Sequence, residues 1–168
     1  MAMRMRAALL ACGLVAVTAC REGGPTPPNL GVRVSSWVPD SAATLAHQYV
    51  SGYTTAAQDV VSDPDTWASV WDRVHQNLAP QPPRPGVDFG EDVVVLAAMG
   101  QRSSGGFDVR VDSVITFGGG AKVFVTEASP GARCITPQMI TQPVHVVRVP
   151  RQAGPVVFET QRVVIECS

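Results

Sequence analysis

Residues 100–107 read GQRSSGGF and bring hydroxyls, an arginine and glycines together just ahead of an alternating strand pattern. Glycines beside hydroxyls raise three possibilities: a phosphate cradle, a serine nucleophile on a sharp turn, or a plain bend. A phosphate loop needs a lysine after the glycines and then a helix, so that backbone N–H groups and a cation meet the anion. Here Phe107 and a strand follow. A nucleophile elbow needs Gly-x-Ser-x-Gly between strand and helix. In this stretch the serine comes one place late, and again no helix follows. Gly118-Gly119-Gly120 departs from the dinucleotide pattern for the same reason. What remains is a turn joining a strand over 93–99 to one over 107–111, with Gly105 and Gly106 free to take positive φ. An exposed loop of small residues is also where a binding protein meets its partner. In that reading Arg102, Ser103, Ser104 and Phe107 are the presented side chains, and Gly105 and Gly106 make the bend.

The other chemistry-bearing residues are sparse. The histidines are His47, His75 and His145. His47 and His145 fall in strand-like segments, and His75 is expected on the exposed side of a helix. No pair has zinc spacing, so neither a metal nor a cofactor is expected. A spatial triad of Ser104, His145 and an acid has no motif behind it, and the expectation is a protein without catalysis. The formal net charge is −1, and no basic stripe interleaves with aromatics, which excludes nucleic acid as a partner.

The cysteines point to compartment. Arg4 and Arg6 precede an apolar run from Ala7 to about Val17, too short to span a bilayer. Val17-Thr18-Ala19-Cys20 then resembles a bacterial lipobox. In that resemblance the chain is cut before Cys20, whose sulfur carries a diacylglycerol. Two or three acyl chains anchor firmly where one holds only marginally. Residues 1–19 read as a lipoprotein signal peptide; an ordinary secretory signal with a chance cysteine is the alternative. Without them, eleven basic and fourteen acidic residues remain, a charge of −3, so the lipid rather than a basic patch would hold the membrane. The expected location is the bacterial cell envelope, facing periplasm or cell surface. Cys134 and Cys167 are left as an even pair in an oxidising compartment, and a disulfide is the natural reading. Free thiols are the alternative.

The elements that must position these residues follow. Residues 20–41, rich in Gly, Pro and Ser, read as a flexible tether. Order is expected from near Leu45, and residues 42–168 form one β-rich domain. Asp63-Pro64 starts a helix by capping its first amides and placing proline where its missing N–H costs nothing. Trp67, Val70, Trp71, Val74 and Leu78 make one apolar stripe, and the helix is expected to stop near Ala79. Trp67 and Trp71 fit core packing against a sheet better than a ligand platform. Val93–Met99 is apolar throughout, as a central strand buried on both faces would be. A bulge is expected near Ser113, a hairpin turn at Gly118–Gly120, and further strands over 121–126, 144–149 and 156–165. The fold class is therefore mainly β (α+β): a mostly antiparallel sheet or sandwich of six or seven strands with one amphipathic helix.

Several of these features stand in a recognisable order. Trp67 and Trp71 come first, then Pro85-Gly86-Val87-Asp88-Phe89, the apolar strand, Gly100-Gln101-Arg102-Ser103-Ser104-Gly105-Gly106-Phe107, and Thr141-Gln142-Pro143 before a valine strand. Over about residues 45–165 this resembles the PrcB C-terminal domain family. Ser104 stands where threonine is common and Phe107 where tyrosine is common. The resemblance implies an accessory lipoprotein of a surface protease complex, binding and stabilising a partner protein rather than catalysing. The runner-up is a protease inhibitor, because Ser103–Phe107 is also similar to a loop of chagasin-type inhibitors.

Overall fold

The computed structural model describes residues 35–40 and 43–167. The signal peptide, Cys20 and most of the tether lie outside the described residues. Eight strands and one helix follow in the order β1 (Ser35–Trp37), β2 (Thr44–Gln48), β3 (Ala56–Val61), α1 (Pro64–Val74), β4 (Asp92–Met99), β5 (Asp108–Phe117), β6 (Gly120–Pro130), β7 (Val144–Pro150) and β8 (Val156–Ile165).

They build a sandwich. One sheet has the order β1-β5-β6-β8 and the other β2-β7-β4-β3. Alternation dictates the layers. Val93, Val95, Ala97 and Met99 of β4 meet Val109, Val111 and Val114 of β5 and Val123 and Val125 of β6 between the sheets. Val94, Leu96 and Ala98 point the other way, onto Trp67, Trp71 and Val74 of α1. The continuous apolar run of β4 is thus buried on both faces, as its sequence requires. The bulge falls between Val111 and Ser113 of β5. All strand pairs are antiparallel except β6 with β8, which is parallel because β7 crosses to the other sheet between them.

The helix is capped as the sequence dictates. Asp63 Oδ1 accepts from the N–H of Asp65 and Thr66, and Pro64 opens the first turn. Four expectations change. The strands number eight. A strand, β1, lies inside the stretch read as tether: Trp37 packs against the core while Ser35–Trp37 pair with β5. The helix ends at Val74, not near Ala79, and Leu78 is left exposed. His75 is buried, not exposed: its Nδ1–H donates to the Trp71 carbonyl at 3.0 Å and its ring lies 3.9 Å from the Trp71 ring.

Candidate functional site

The segment 100–107 does not join neighbouring strands. β4 and β5 belong to different sheets, so the glycines make a crossover rather than a hairpin. The crossover is stitched to a second loop, residues 131–141. Arg102 and Thr141 exchange backbone hydrogen bonds at 2.8 and 3.0 Å. The Gly105 N–H donates to the Pro137 carbonyl at 2.9 Å, and the Thr141 hydroxyl donates to the Ser104 carbonyl at 2.8 Å. Here the glycines earn their place by close approach. A Cβ on Gly105 would lie 3.0 Å from Pro137, and one on Gly106, whose φ is +88°, would lie 3.0 Å from Thr136. The left-handed φ at Gly106 strains any other residue.

This ridge divides two concave surfaces. On one side a groove of about 470 Å³ runs over the outer face of the first sheet; its walls include Gly106, Ala128, Ile135, Pro137, Val163 and Ile165. On the other side a hollow of about 500 Å³ is lined by Tyr49, Val50, Phe107, Pro137 and Met139. Around them Tyr49, Ile135, Met139, Ile140 and Ile165 stand out in solvent, Ile135 fully. Among the loop residues, Ser103 and Gly106 are exposed, Arg102, Ser104 and Phe107 half-buried, and Gly105 buried. The Arg102 guanidinium carbon sits 5.7 Å from the centre of the Phe107 ring, and Arg102 has no ion-pair partner among the described residues. Its buried Nε is without a hydrogen-bond acceptor among the described residues. The disulfide joins Cys134 to Cys167 and pins the second loop to the end of β8, so both cysteines wall the groove over the first sheet.

A second polar group lies where the sheets meet. His47 and His145 face each other across β2 and β7, with ring centres 4.6 Å apart. His47 Nε2–H donates to Asp108 at 2.6 Å. The N–H of Val111, beside the β5 bulge, donates to His145 Nδ1 at 2.8 Å. That contact leaves the ring proton on Nε2, 3.3 Å from the Thr44 hydroxyl. Both nitrogens are committed, and Ser104 turns its hydroxyl to the Gly105 carbonyl. No Ser104–His145 hydrogen bond forms. Burial, reinforced by the charges of His47 and Arg110 and opposed by Asp108, pushes His145 down to about 4. Asp108 is held below the ordinary carboxylate range: burial works against this, but the His47 hydrogen bond and the charges of His47 and Arg110 outweigh it.

The sign for His145 is fixed by linkage. A group bound neutral in the fold and basic when unfolded contributes stability above its unfolded value near 6.5, which is lost as pH falls toward 4. The full loss is about 3 kcal/mol. His145→Asn keeps an acceptor for the Val111 N–H but cannot titrate. Urea melts at pH 7, 5.5 and 4 should therefore show a flatter pH dependence in this variant. Equal slopes in the two proteins would refute the assignment. Asp40, His47, Asp108, Arg110 and Asp112 surround the same hollow and are common to both proteins.

The histidine pair carries no local sequence motif. For the second loop the sequence holds two signals: Thr141, which opens Thr141-Gln142-Pro143, and the even cysteine pair, which ties residue 134 to the end of the last strand.

No curated protein and no solved structure matches the chain. The family model described as PrcB C-terminal matches residues 93–150, from the central strand β4 through the glycine crossover and its partner loop to β7, and supports the PrcB C-terminal domain family for this stretch.

Proposed function

We propose that this protein is a non-catalytic binding module, anchored in the bacterial envelope by a lipid on Cys20, that docks and stabilises a partner protein, a surface protease being the partner the family name favours. The observation that carries the reading is the ridge of Gly105, Gly106 and Pro137 with an apolar hollow on each side. Exposed apolar side chains grouped around concave surfaces are the usual mark of a protein contact. The unpaired Arg102 above Phe107 adds a preference for an acidic group beside the partner's apolar anchor. Position fits as well. β1 begins opposite Thr116, at the hairpin end of β5, whereas the ridge lies at the Asp108 end. A chain tethered through β1 would hold the ridge clear of the membrane.

The test compares tagged full-length chain with Phe107→Ala and Ile135→Asp, recovered from membranes of the native host. Wild type should hold one stoichiometric protein, and each variant should lose it at least tenfold, Ile135→Asp with an unchanged melting temperature and Phe107→Ala with some loss of stability, because Phe107 also packs against the core. A partner retained equally by all three would reject the ridge, and none retained by wild type would reject docking. If the partner is a protease, its activity with and without the chain separates stabilisation from inhibition. Cys20→Ala should move the protein from the membrane to the soluble fraction; continued detergent-phase partitioning would end the lipid anchor.

A further inference from the structure

β8 is the outer strand of the first sheet, and its far side has no neighbour among the described residues. At ten residues it is a long edge, and unguarded edges recruit further strands. Natural edges are usually protected by free charge. Here Glu159 is paired inward with Lys122 at 2.8 Å and Arg162 with Glu127 at 3.0 Å, both on β6. Their charge is spent within the sheet. Val157, Val164 and Ile165 stay exposed.

The edge also fits itself. The Val163 carbonyl accepts from Ser129 and that of Ile165 from the Gly131 N–H, so odd-numbered residues turn their backbone groups toward β6. Residues 156, 158, 160, 162 and 164 therefore offer theirs outward. Two copies related by a twofold axis normal to the sheet must pair even with even. The sequence VVFETQRVVI is nearly palindromic in character, with aliphatic residues at both ends and Thr160-Gln161 in the middle. Centred on Thr160, Val156 meets Val164 and Val157 meets Val163 of the other copy. Phe158 meets Arg162, and Glu159 meets Gln161, an acceptor opposite an amide donor. No like charges oppose. Centring on Gln161 instead sets Glu159 against Val163 and leaves Thr160 opposite Arg162.

We infer that β8 pairs antiparallel with β8 of a second copy about Thr160, joining the two first sheets into one eight-stranded sheet. The pairing depends on β8 alone; it leaves Gly105, Gly106 and Pro137 of the ridge uncovered and sets Val157 of the second copy beside Val163 at the groove wall.

The test uses full-length chain in membranes and in detergent. Thr160→Cys places two thiols at the axis, at the roughly 5.5 Å Cα separation of a hydrogen-bonded pair, within disulfide range. Mild oxidation should give a covalent dimer on a non-reducing gel, several-fold above Gln161→Cys and the wild-type background. Thr160→Pro removes an N–H that points away from β6, which an edge tolerates, and also the hydroxyl that accepts from Gln58 Nε2 at 2.7 Å; at a temperature where circular dichroism shows the variant folded, it should halve the mass measured by light scattering. A wild-type monomer throughout the micromolar range would overturn the inference. So would equal crosslinking by Gln161→Cys, or a dimer that survives Thr160→Pro.

Discussion

Trp67→Ala should cost the domain about 3–5 kcal/mol, the upper range for truncating a buried aromatic. Trp67 is 2% exposed and touches both the helix layer and the outer face of β4. Its ring centre lies 5.3 Å from that of Trp71 in an edge-on arrangement. The indole N–H donates to the Pro85 carbonyl at 3.1 Å, as that of Trp71 does to Pro82 at 3.0 Å. The two tryptophans therefore do double duty: they fill the space between helix and sheet, and they fasten the proline-rich segment that cannot make a ladder of its own. Alanine would open a cavity and leave the Pro85 carbonyl without its donor. Trp67→Phe should lose less, because much of the packing survives and only the hydrogen bond is gone. Urea denaturation read by circular dichroism gives both values. A loss under about 1 kcal/mol for Trp67→Ala would show that the helix does not carry this face of the core.

What could be read in advance was local. Asp63-Pro64 states a helix start in its own chemistry, and the unbroken Val93–Met99 run states burial on both faces. Each needs only neighbours in sequence. The helix stops short of its sequence stripe: Leu78 extends the apolar pattern in sequence, while His75 takes the buried place one turn earlier. An imidazole reads as polar, yet a hydrogen bond to the Trp71 carbonyl satisfies it inside, with the Trp71 ring packed at a tilt against it. The crossover escaped for a different reason. Gly105-Gly106 has the composition of a hairpin bend, and only the assignment of β4 and β5 to separate sheets tells otherwise. Long-range pairing decides that, and the partner, Pro137, lies about thirty residues on. The His47–His145 pair is of the same kind: a register match between β2 and β7 that no spacing rule foresees.

Removing the staple, Cys134→Ser with Cys167→Ser, should cost about 3–4 kcal/mol on the chain-entropy account of a loop of this length. The bond spans 33 residues of sequence, and that span includes β7, a central strand of the other sheet. Opening it frees the unfolded chain across the whole crossover from β6 to β8. For a domain whose total stability lies in the ordinary range of about 5–15 kcal/mol, that is a large share. The local consequence is separate. Gly131 and Ile165 keep their backbone hydrogen bond at 2.9 Å, so the base of the second loop stays joined to β8. Beyond it, Ile135 and Pro137 lose the crosslink that holds them over the groove. The serine variant, assayed where it is still folded, should therefore bind the ridge's partner more weakly than wild type, and reductant should weaken wild-type binding to the same level. Urea midpoints in the two proteins, with and without reductant, measure the first effect. A stability loss under about 1 kcal/mol would mean that the two strands hold this end without help, and unchanged partner affinity in a folded serine variant would move the contact away from the groove that Cys134 and Cys167 wall.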